Sequence, residues 1–348
     1  MSENRELRVA VLGVGLMGSD HVKRLTNKIS GARVSVINDF DIERAKSIAA
    51  GVPGARVVAD PFEAITADDV DAVVLATPSP THEQQLMECL RTRKPVLCEK
   101  PLTPDAESSL RIVKAEAELG VKLIQIGFMR RFDNEYQQLK QLIVEGELGN
   151  PLMVHCVHRN PAGPPGFTSA MAVTESLVHE VDSIRYLLDE EITSVQVLQP
   201  RSTTLAGAEL RDPQLALYET ASGRLIDAEI FITTGVAYEV RTEVVGELGS
   251  ATIGLDVGLI RKTKPGTWGG TITPGFQERF GQAYDTEVQR WVNAARSGAE
   301  TGNYVDGPDA WDGYAAQAVC AAGVESVKTG LKVPVSMVDK ASVLGSRV

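Results

Sequence analysis

The sequence predicts an α/β fold in two parts: a doubly wound parallel sheet at the front, and behind it an α+β domain built on a large, mostly antiparallel sheet. Three observations lead there. Short, near-continuous apolar runs alternate with amphipathic stretches as far as residue 128. A glycine-rich turn follows the first of those runs. After residue 129 the apolar residues switch to a period of two.

In chain order, LRVAVLG (7–13), RVSVIND (33–39), DAVVLATP (71–78), PVLCEKP (95–101) and VKLIQIGF (121–128) read as strands. A strand covered on both faces has no reason to alternate polar with apolar, and these do not. SDHVKRLTN, DIERAKSIAAG, THEQQLMECLRT and PDAESSLRIVKAEAELG read as the helices between them, the last stopped by Gly120. Alternation of this kind implies a parallel sheet. Further on, PLMVHCVHRN (151–160), ITSVQVLQ (192–199), GRLIDAEIFIT (223–233) and YEVRTEVVGELGSATIGL (238–255) alternate, as strands with one covered face do. The last contains a hairpin at Glu247–Leu248–Gly249.

TESLVHEVDSIRYLLDE interrupts the strands as a helix, and two more helices close the chain at 278–298 and 309–330. Phe280, Tyr284, Trp291 and Ala295 recur at helical spacing and read as packing. Two Gly/Pro-rich loops, 160–167 and 262–276, read as lids or subunit contacts. The expected domains are residues 1–128 and 129–348.

A chain of 348 residues is long enough for two cores. Its 46 acidic against 35 basic residues leave a net charge of −11 with no Lys/Arg-rich run, which disfavours nucleic acid or an anionic membrane as partner. The start of the chain has no signal-peptide pattern, and no apolar run approaches the ~18 residues of a membrane span, so a cytoplasmic protein is expected. Cys89, Cys98, Cys156 and Cys320 lack CxxC spacing, which argues against a disulfide framework or a zinc site. No metal is expected.

VLGVGLMGSDH places Gly13, Gly15 and Gly18 between a strand and a helix. Alone, such a pattern also marks ordinary tight turns. In this context it predicts a Rossmann-type dinucleotide site: Gly13 for the turn, Gly15 for close approach of a pyrophosphate, Gly18 for packing helix on strand, with Leu16 and Met17 between them. Asp39 ends the second strand at the spacing of a carboxylate that binds ribose hydroxyls. It would repel a 2′-phosphate, and the following FDIE offers no immediate arginine, so NAD is expected over NADP. Asp41 is the competing acceptor, better placed as a helix N-cap. Thr77, Pro78, His82, Glu99 and Lys100 lie where strand ends meet a cofactor in such a sheet. Glu99 reads equally as a ribose contact or a structural salt bridge, and the peptide isomer before Pro101 stays open.

NAD without metal or flavin implies hydride transfer, and oxidising an alcohol then needs a base for the hydroxyl proton. Imidazole, with an ordinary pKa of about 6.5, suits that role near neutral pH. In TESLVHEVD (174–182), α-helical spacing puts Glu175, His179 and Asp182 on one stripe and Leu177, Val181, Ile184 and Leu188 on an apolar face. A solvated polar face is the bland alternative. His21 reads as a surface residue. His155 and His158 lie three apart on a strand and face opposite sides, leaving His158 to share a face with Asn160.

GVGLMG, ATPSPTH, CEKPL, GFMRRFD, HRNP, ESLVHEVD and GPDAWDGY, in this order, resemble the glucose–fructose oxidoreductase/inositol dehydrogenase family, most closely its inositol 2-dehydrogenase branch. The resemblance spans nearly the whole chain. It implies an open-faced sheet in the second domain, a homotetramer, and NAD-dependent oxidation of a ring hydroxyl of myo-inositol or a close isomer to the keto-inositol. Lys100 then matches the lysine that contacts the reacting hydroxyl and His179 the base. Glu175 stands where the family typically carries Asp, a departure that bears on substrate position more than on reaction type. Arg130, His158, Asn160, Asp182 and Tyr238 match positions lining the polyol pocket. On this reading the stripe faces the nicotinamide, and Glu175 and Asp182 stabilise the imidazolium formed when His179 accepts the proton. The rival readings are a dehydrogenase for another polyol or aldopyranose (scyllo-inositol, chiro-inositol, glucose), and a non-catalytic NAD/sugar sensor. Retention of both Lys100 and His179 counts against the sensor.

Overall fold

The computed structural model describes residues 5–254 and 272–345. The chain forms two compact units. The first takes the chain to Met129, then Gln282–Gln317 and the stretch from Met337; the second takes Arg130–Gly281 and Ala318–Ser336.

The first unit holds a six-stranded, all-parallel sheet of β1 (Leu7–Leu12), β2 (Ala32–Asn38), β3 (Arg56–Val57), β4 (Ala72–Leu75), β5 (Val96–Cys98) and β6 (Ile124–Ile126), in the order β3-β2-β1-β4-β5-β6. The order reverses between β1 and β4, and a ligand crevice opens outside the strand ends at such a point. Aspartates start the intervening helices: Asp41, Asp60 and Asp105 each accept a backbone N–H from the first turn. Gly120 ends the helix Ala106–Leu119 in the left-handed region, φ +66°, which glycine enters without steric cost.

The sequence-based boundary assigned everything after 128 to the second domain. Instead, Val288, Trp291, Val292 and Ala295 from the helix Gly281–Thr301 are buried in one cluster with Val9 and Val11 of β1 and Val22 and Leu25 of the first helix. The Arg24 guanidinium lies 5.1 Å from the Tyr284 ring centroid and pairs with Asp285. Trp291 and Ala295 of the stripe read as packing are therefore core of the first unit, where burial of Trp291 outweighs its distance along the chain, whereas Phe280 belongs to the second unit and meets the Tyr238 ring at 6.3 Å.

The second unit carries a seven-stranded mixed sheet of β7 (Pro151–Arg159), β8 (Ile192–Leu198), β9 (Gln214–Thr220), β10 (Leu225–Phe231), β11 (Glu239–Gly246), β12 (Ser250–Ile253) and β13 (Val333–Pro334), in the order β12-β11-β7-β10-β9-β8-β13. β7 and β10 run parallel and the other neighbours antiparallel. The hairpin at 247–249 joins β11 to β12. β9 had no sequence counterpart because its inward residues are Gln214, Ala216, Tyr218 and Thr220, a set that hides the period-two signal. On the other face Met153, Leu217 and Leu225 are exposed, alongside His155 paired with Asp227 and Arg159 paired with Glu229 and Glu239.

The segment 169–188 departs from a plain α-helix. Residues Ala172–Leu177 form a π-helical turn before the α-helix Val178–Leu188. The wider i→i+5 turn falls between Glu175 and His179, so their offset is not that of a regular α-turn. Nor is the polar stripe solvated, since His179 and Asp182 are buried. Of the loops read as lids or contacts, residues 262–271 lie outside the described residues.

Candidate functional site

In the first unit, β1 hands the chain to a turn at Gly13, φ +78°. A Cβ there would lie 2.5 Å from the Ala76 carbonyl oxygen. A Cβ on Gly18 would come within 1.7 Å of the Gly13 carbonyl oxygen, so the first helix packs directly on the turn. Gly15 differs: nothing lies within 4 Å of where its Cβ would be. One glycine for the turn, one for packing and one facing open space at a helix N-terminus is the cradle a dinucleotide pyrophosphate requires. The residues present fit NAD.

Asp39 closes the cradle at the end of β2. Its Oδ2 accepts the buried Val14 N–H at 2.7 Å and its Oδ1 the Asp41 N–H at 2.8 Å. A carboxylate has roughly four lone-pair sites, so acceptors remain for ribose hydroxyls. Asp41 is the N-cap of the helix Ile42–Ala49, as expected. Arg44 was not foreseen: its Nη1 sits 3.6 Å from Asp39 Oδ1 and its guanidinium 5.4 Å from the centroid of the exposed Phe40 ring. No arginine follows Asp39 directly, but one helical turn brings Arg44 back to it.

A cavity of about 690 Å³ opens here, lined by Gly13, Gly15, Met17, Asp39, Thr77, Pro78, Glu99 and Lys100 among the anticipated residues. Phe40, Arg44, Thr81 and Gln85 line it too and were missed. Gln85 accepts from the Thr77 hydroxyl at 2.7 Å, which orients that strand-end threonine. Leu16 is exposed at the helix start. Neither it, Gly18 nor His82 is part of that lining.

His82 is buried, and its ring bridges backbone: Nε2 lies 2.8 Å from the Thr77 carbonyl oxygen, Nδ1 3.0 Å from that of Pro101 and 3.2 Å from that of Leu102. It therefore ties the segment after β5 to the segment after β4. Burial holds its pKa below the ordinary value against these carbonyls. His21, read as a surface residue, is buried, with Nε2 2.7 Å from Glu99 Oε1. Glu99 is thus anchored from below while it lines the cavity. Lys100 follows it on a cis peptide to Pro101 and reaches the same cavity.

The second unit gathers the other anticipated residues. Arg130, in a 3₁₀ turn (Met129–Phe132), is 2% exposed and forms an ion pair with Glu180. His158, facing inward from β7, has Nδ1 3.1 Å from Glu180 Oε2 and 3.3 Å from Arg130 Nη2. The Tyr238 ring meets His158 edge-on at 5.6 Å, and the His179 ring lies 6.4 Å from His158. Asp182 accepts from both Nε and Nη2 of Arg131, the closest at 2.6 Å. Its charge is matched by Arg131, a partner that spacing along the helix did not reveal. Asn160 follows the strand, its carbonyl accepting from the Thr234 hydroxyl. Burial disfavours the Glu180 carboxylate, yet Arg130 and His158 hold its pKa down at about 2. Glu180 was missed because spacing sorts residues by face and cannot say which neighbours a buried side chain will meet. His155, on the opposite face of β7, pairs with Asp227.

Comparison with known proteins agrees with this architecture. Residues 7–128 match the model described as oxidoreductase family, NAD-binding Rossmann fold, and residues 140–335 that of its C-terminal alpha/beta domain. The inositol 2-dehydrogenase of Rhodococcus erythropolis is 70% identical, covering 99% of this chain and 100% of that protein. That of Mycolicibacterium smegmatis is 63% identical, covering 98% of this chain and 99% of that protein. The crystal structure of the myo-inositol dehydrogenase from Lactobacillus casei, in complex with NAD(H) and myo-inositol, superposes with a TM-score of 0.91 at 34% identity, covering 97% of this chain and 99% of that one. The glycine cradle, the strand-end Asp39 and the match of both halves lead to one assignment: the chain belongs to the GFO/IDH/MocA family of NAD-binding oxidoreductases.

Proposed function

We propose that this protein oxidises a ring hydroxyl of myo-inositol, or of a close isomer, to the keto-inositol, using NAD as the electron acceptor. The observation that carries the reading is the 70% identity, over 99% of the chain, with the inositol 2-dehydrogenase of Rhodococcus erythropolis. The buried set Arg130, His158 and Tyr238 supports it. A cyclic polyol presents hydroxyls that both donate and accept, and selecting one requires polar partners of both kinds.

NAD, when bound, supplies the two-electron acceptor. Gly13, Gly15 and Asp39 hold it, with Gly18 packing the first helix on the turn and Thr77, Pro78 and Glu99 at the strand ends. Lys100 donates a charge-assisted hydrogen bond to the reacting oxygen and favours its alkoxide character. His179 takes the hydroxyl proton as general base, and Glu175 stabilises the resulting imidazolium. Arg130, His158, Asn160, Asp182 and Tyr238 recognise the remaining hydroxyls, with Arg131 orienting Asp182.

A cytoplasmic homotetramer completes the proposal. The four cysteines are buried and form no disulfide, as suits a reducing compartment. The outer face of the seven-stranded sheet exposes Met153, Leu217 and Leu225 beside charged pairs, a surface suited to a second copy of the chain. The test is a panel of inositols and aldoses with NAD, followed at the reduced-cofactor absorbance. Turnover of myo-inositol above the other compounds is expected. Preference for a sugar would overturn the substrate assignment, and no turnover with any would favour a sensor.

A further inference from the structure

Glu180 lies outside the residues to which the proposed reaction gives a role, yet it touches two that have one. Oε1 pairs with Arg130 Nη1 and Oε2 stands 3.1 Å from His158 Nδ1. All three side chains are buried, at 1–3% exposure. No other carboxylate contacts Arg130 or His158 among the described residues.

The protons in this triad are constrained. An ionised carboxylate only accepts and a guanidinium only donates. His158 Nδ1 lies between one of each, with Arg130 Nη2 at 3.3 Å, and a neutral ring cannot satisfy both. If Nδ1 carries the proton it donates to Glu180, and Nε2 is left with a lone pair. If Nδ1 accepts from Arg130, the proton moves to Nε2. The carboxylate contact is shorter and charge-assisted, and Arg130 already spends a donor on Oε1, so the first arrangement wins. Nε2, on the other side of the ring, makes no hydrogen bond to any described residue.

We propose that Glu180 is a positioning residue that fixes the tautomer of His158, so that Nε2 presents an acceptor and takes a substrate group that donates a proton. The inference rests on the assignment of His158 to polyol recognition. It adds a polarity that the contact alone does not carry. A hydroxyl satisfies Nε2, whereas a carbonyl or carboxylate oxygen in that place would set lone pair against lone pair. The hydroxyl that His158 holds is therefore not the one oxidised, because the product ketone oxygen could not donate. Glu180 also keeps Arg130 charged in a buried place: burial opposes that charge and Glu180 outweighs it.

Two measurements test this on the full-length protein. With ¹⁵N-labelled histidine, long-range ¹H–¹⁵N correlation spectra report which ring nitrogen carries the proton, and His158→Asn identifies the His158 signals. Nδ1–H with a deprotonated Nε2 is expected at pH 8; Nε2–H in the wild-type protein overturns the inference whether or not any variant folds. Glu180→Gln keeps the side-chain shape and removes the charge. It is expected to populate Nε2–H and to raise KM for myo-inositol about tenfold, the worth of one well-placed hydrogen bond, with a smaller change in kcat and an unchanged Kd for NAD. An unchanged tautomer with KM within twofold of wild type overturns it. If wild-type protein fails to oxidise myo-inositol, the proposed function falls, while the spectrum still decides the tautomer.

Discussion

Replacing Asp39 by Asn tests the cofactor site through a side chain that does two jobs. Its oxygens accept the Val14 N–H at 2.7 Å and the Asp41 N–H at 2.8 Å, so it ties the glycine turn to the end of β2 before any ligand binds. Asparagine has one acceptor oxygen. The buried Val14 N–H takes it, and the Asp41 N–H then faces an NH₂ group. A hydrogen bond to a charged group is worth ~1.5–3 kcal/mol against ~0.5–1.5 for a neutral one, so losing one bond and weakening the other costs about 3 kcal/mol of stability. The ribose hydroxyls lose the same kind of partner, which lowers kcat/KM with NAD by roughly 10–100-fold. NADP moves the other way. A phosphate charge about 4 Å from the carboxylate is repelled by ~1–4 kcal/mol, depending on local polarity. Removing that repulsion leaves Arg44, 3.6 Å from the present Oδ1, to receive the phosphate. The NAD:NADP ratio of kcat/KM is therefore expected to fall by about 10²-fold or more. Initial rates with both cofactors, together with urea unfolding, measure both effects. An NAD kcat/KM within twofold of wild type and an unchanged cofactor ratio would refute the role given to Asp39.

Three further outcomes are expected. His179→Ala should lower turnover by roughly 10²–10⁴-fold if the imidazole is the general base; near-wild-type turnover removes it from that role. Glu175→Asp shortens a carboxylate in the π turn and should change kcat/KM for myo-inositol only about two- to tenfold, the scale of one hydrogen bond; a loss as large as that of His179→Ala would make Glu175 part of the proton-transfer machinery. The third concerns stability. Glu116 is buried, which raises its carboxyl to about 7 although Oε1 accepts the N–H groups of Leu123 and Ile124 at 2.8 Å. A folded-state pKa above the unfolded value means that stability is fully present below about 4.5 and is lost as pH rises through about 7. At ~1.4 kcal/mol for each tenfold in proton affinity, the loss at pH 8 is about 3 kcal/mol. Glu116→Gln keeps the acceptor oxygen and cannot ionise, so urea unfolding should show it stabilised at pH 8 and nearly unchanged at pH 4.5. Equal effects at both would contradict the assignment.

The amino-acid sequence alone determined the features that depend on local pattern. Apolar runs covered on both faces, helix stops such as Gly120, the spacing of Gly13, Gly15 and Gly18, and Asp39 at a strand end are short-range properties. Each can be read because strand, helix and tight turn impose fixed periods and fixed steric demands on neighbouring residues. The opposite facing of His155 and His158 follows from the same two-residue period and holds in the structure. Only the tertiary structure decided which distant groups meet. Trp291 buries itself beside β1, His21 reaches Glu99, Arg44 comes back to Asp39, and Glu180 joins Arg130 to His158. Those pairings arise because burying a charge or a large ring is favourable only where a matching partner or cavity exists. That match is a property of packing in three dimensions, which no spacing along the chain records.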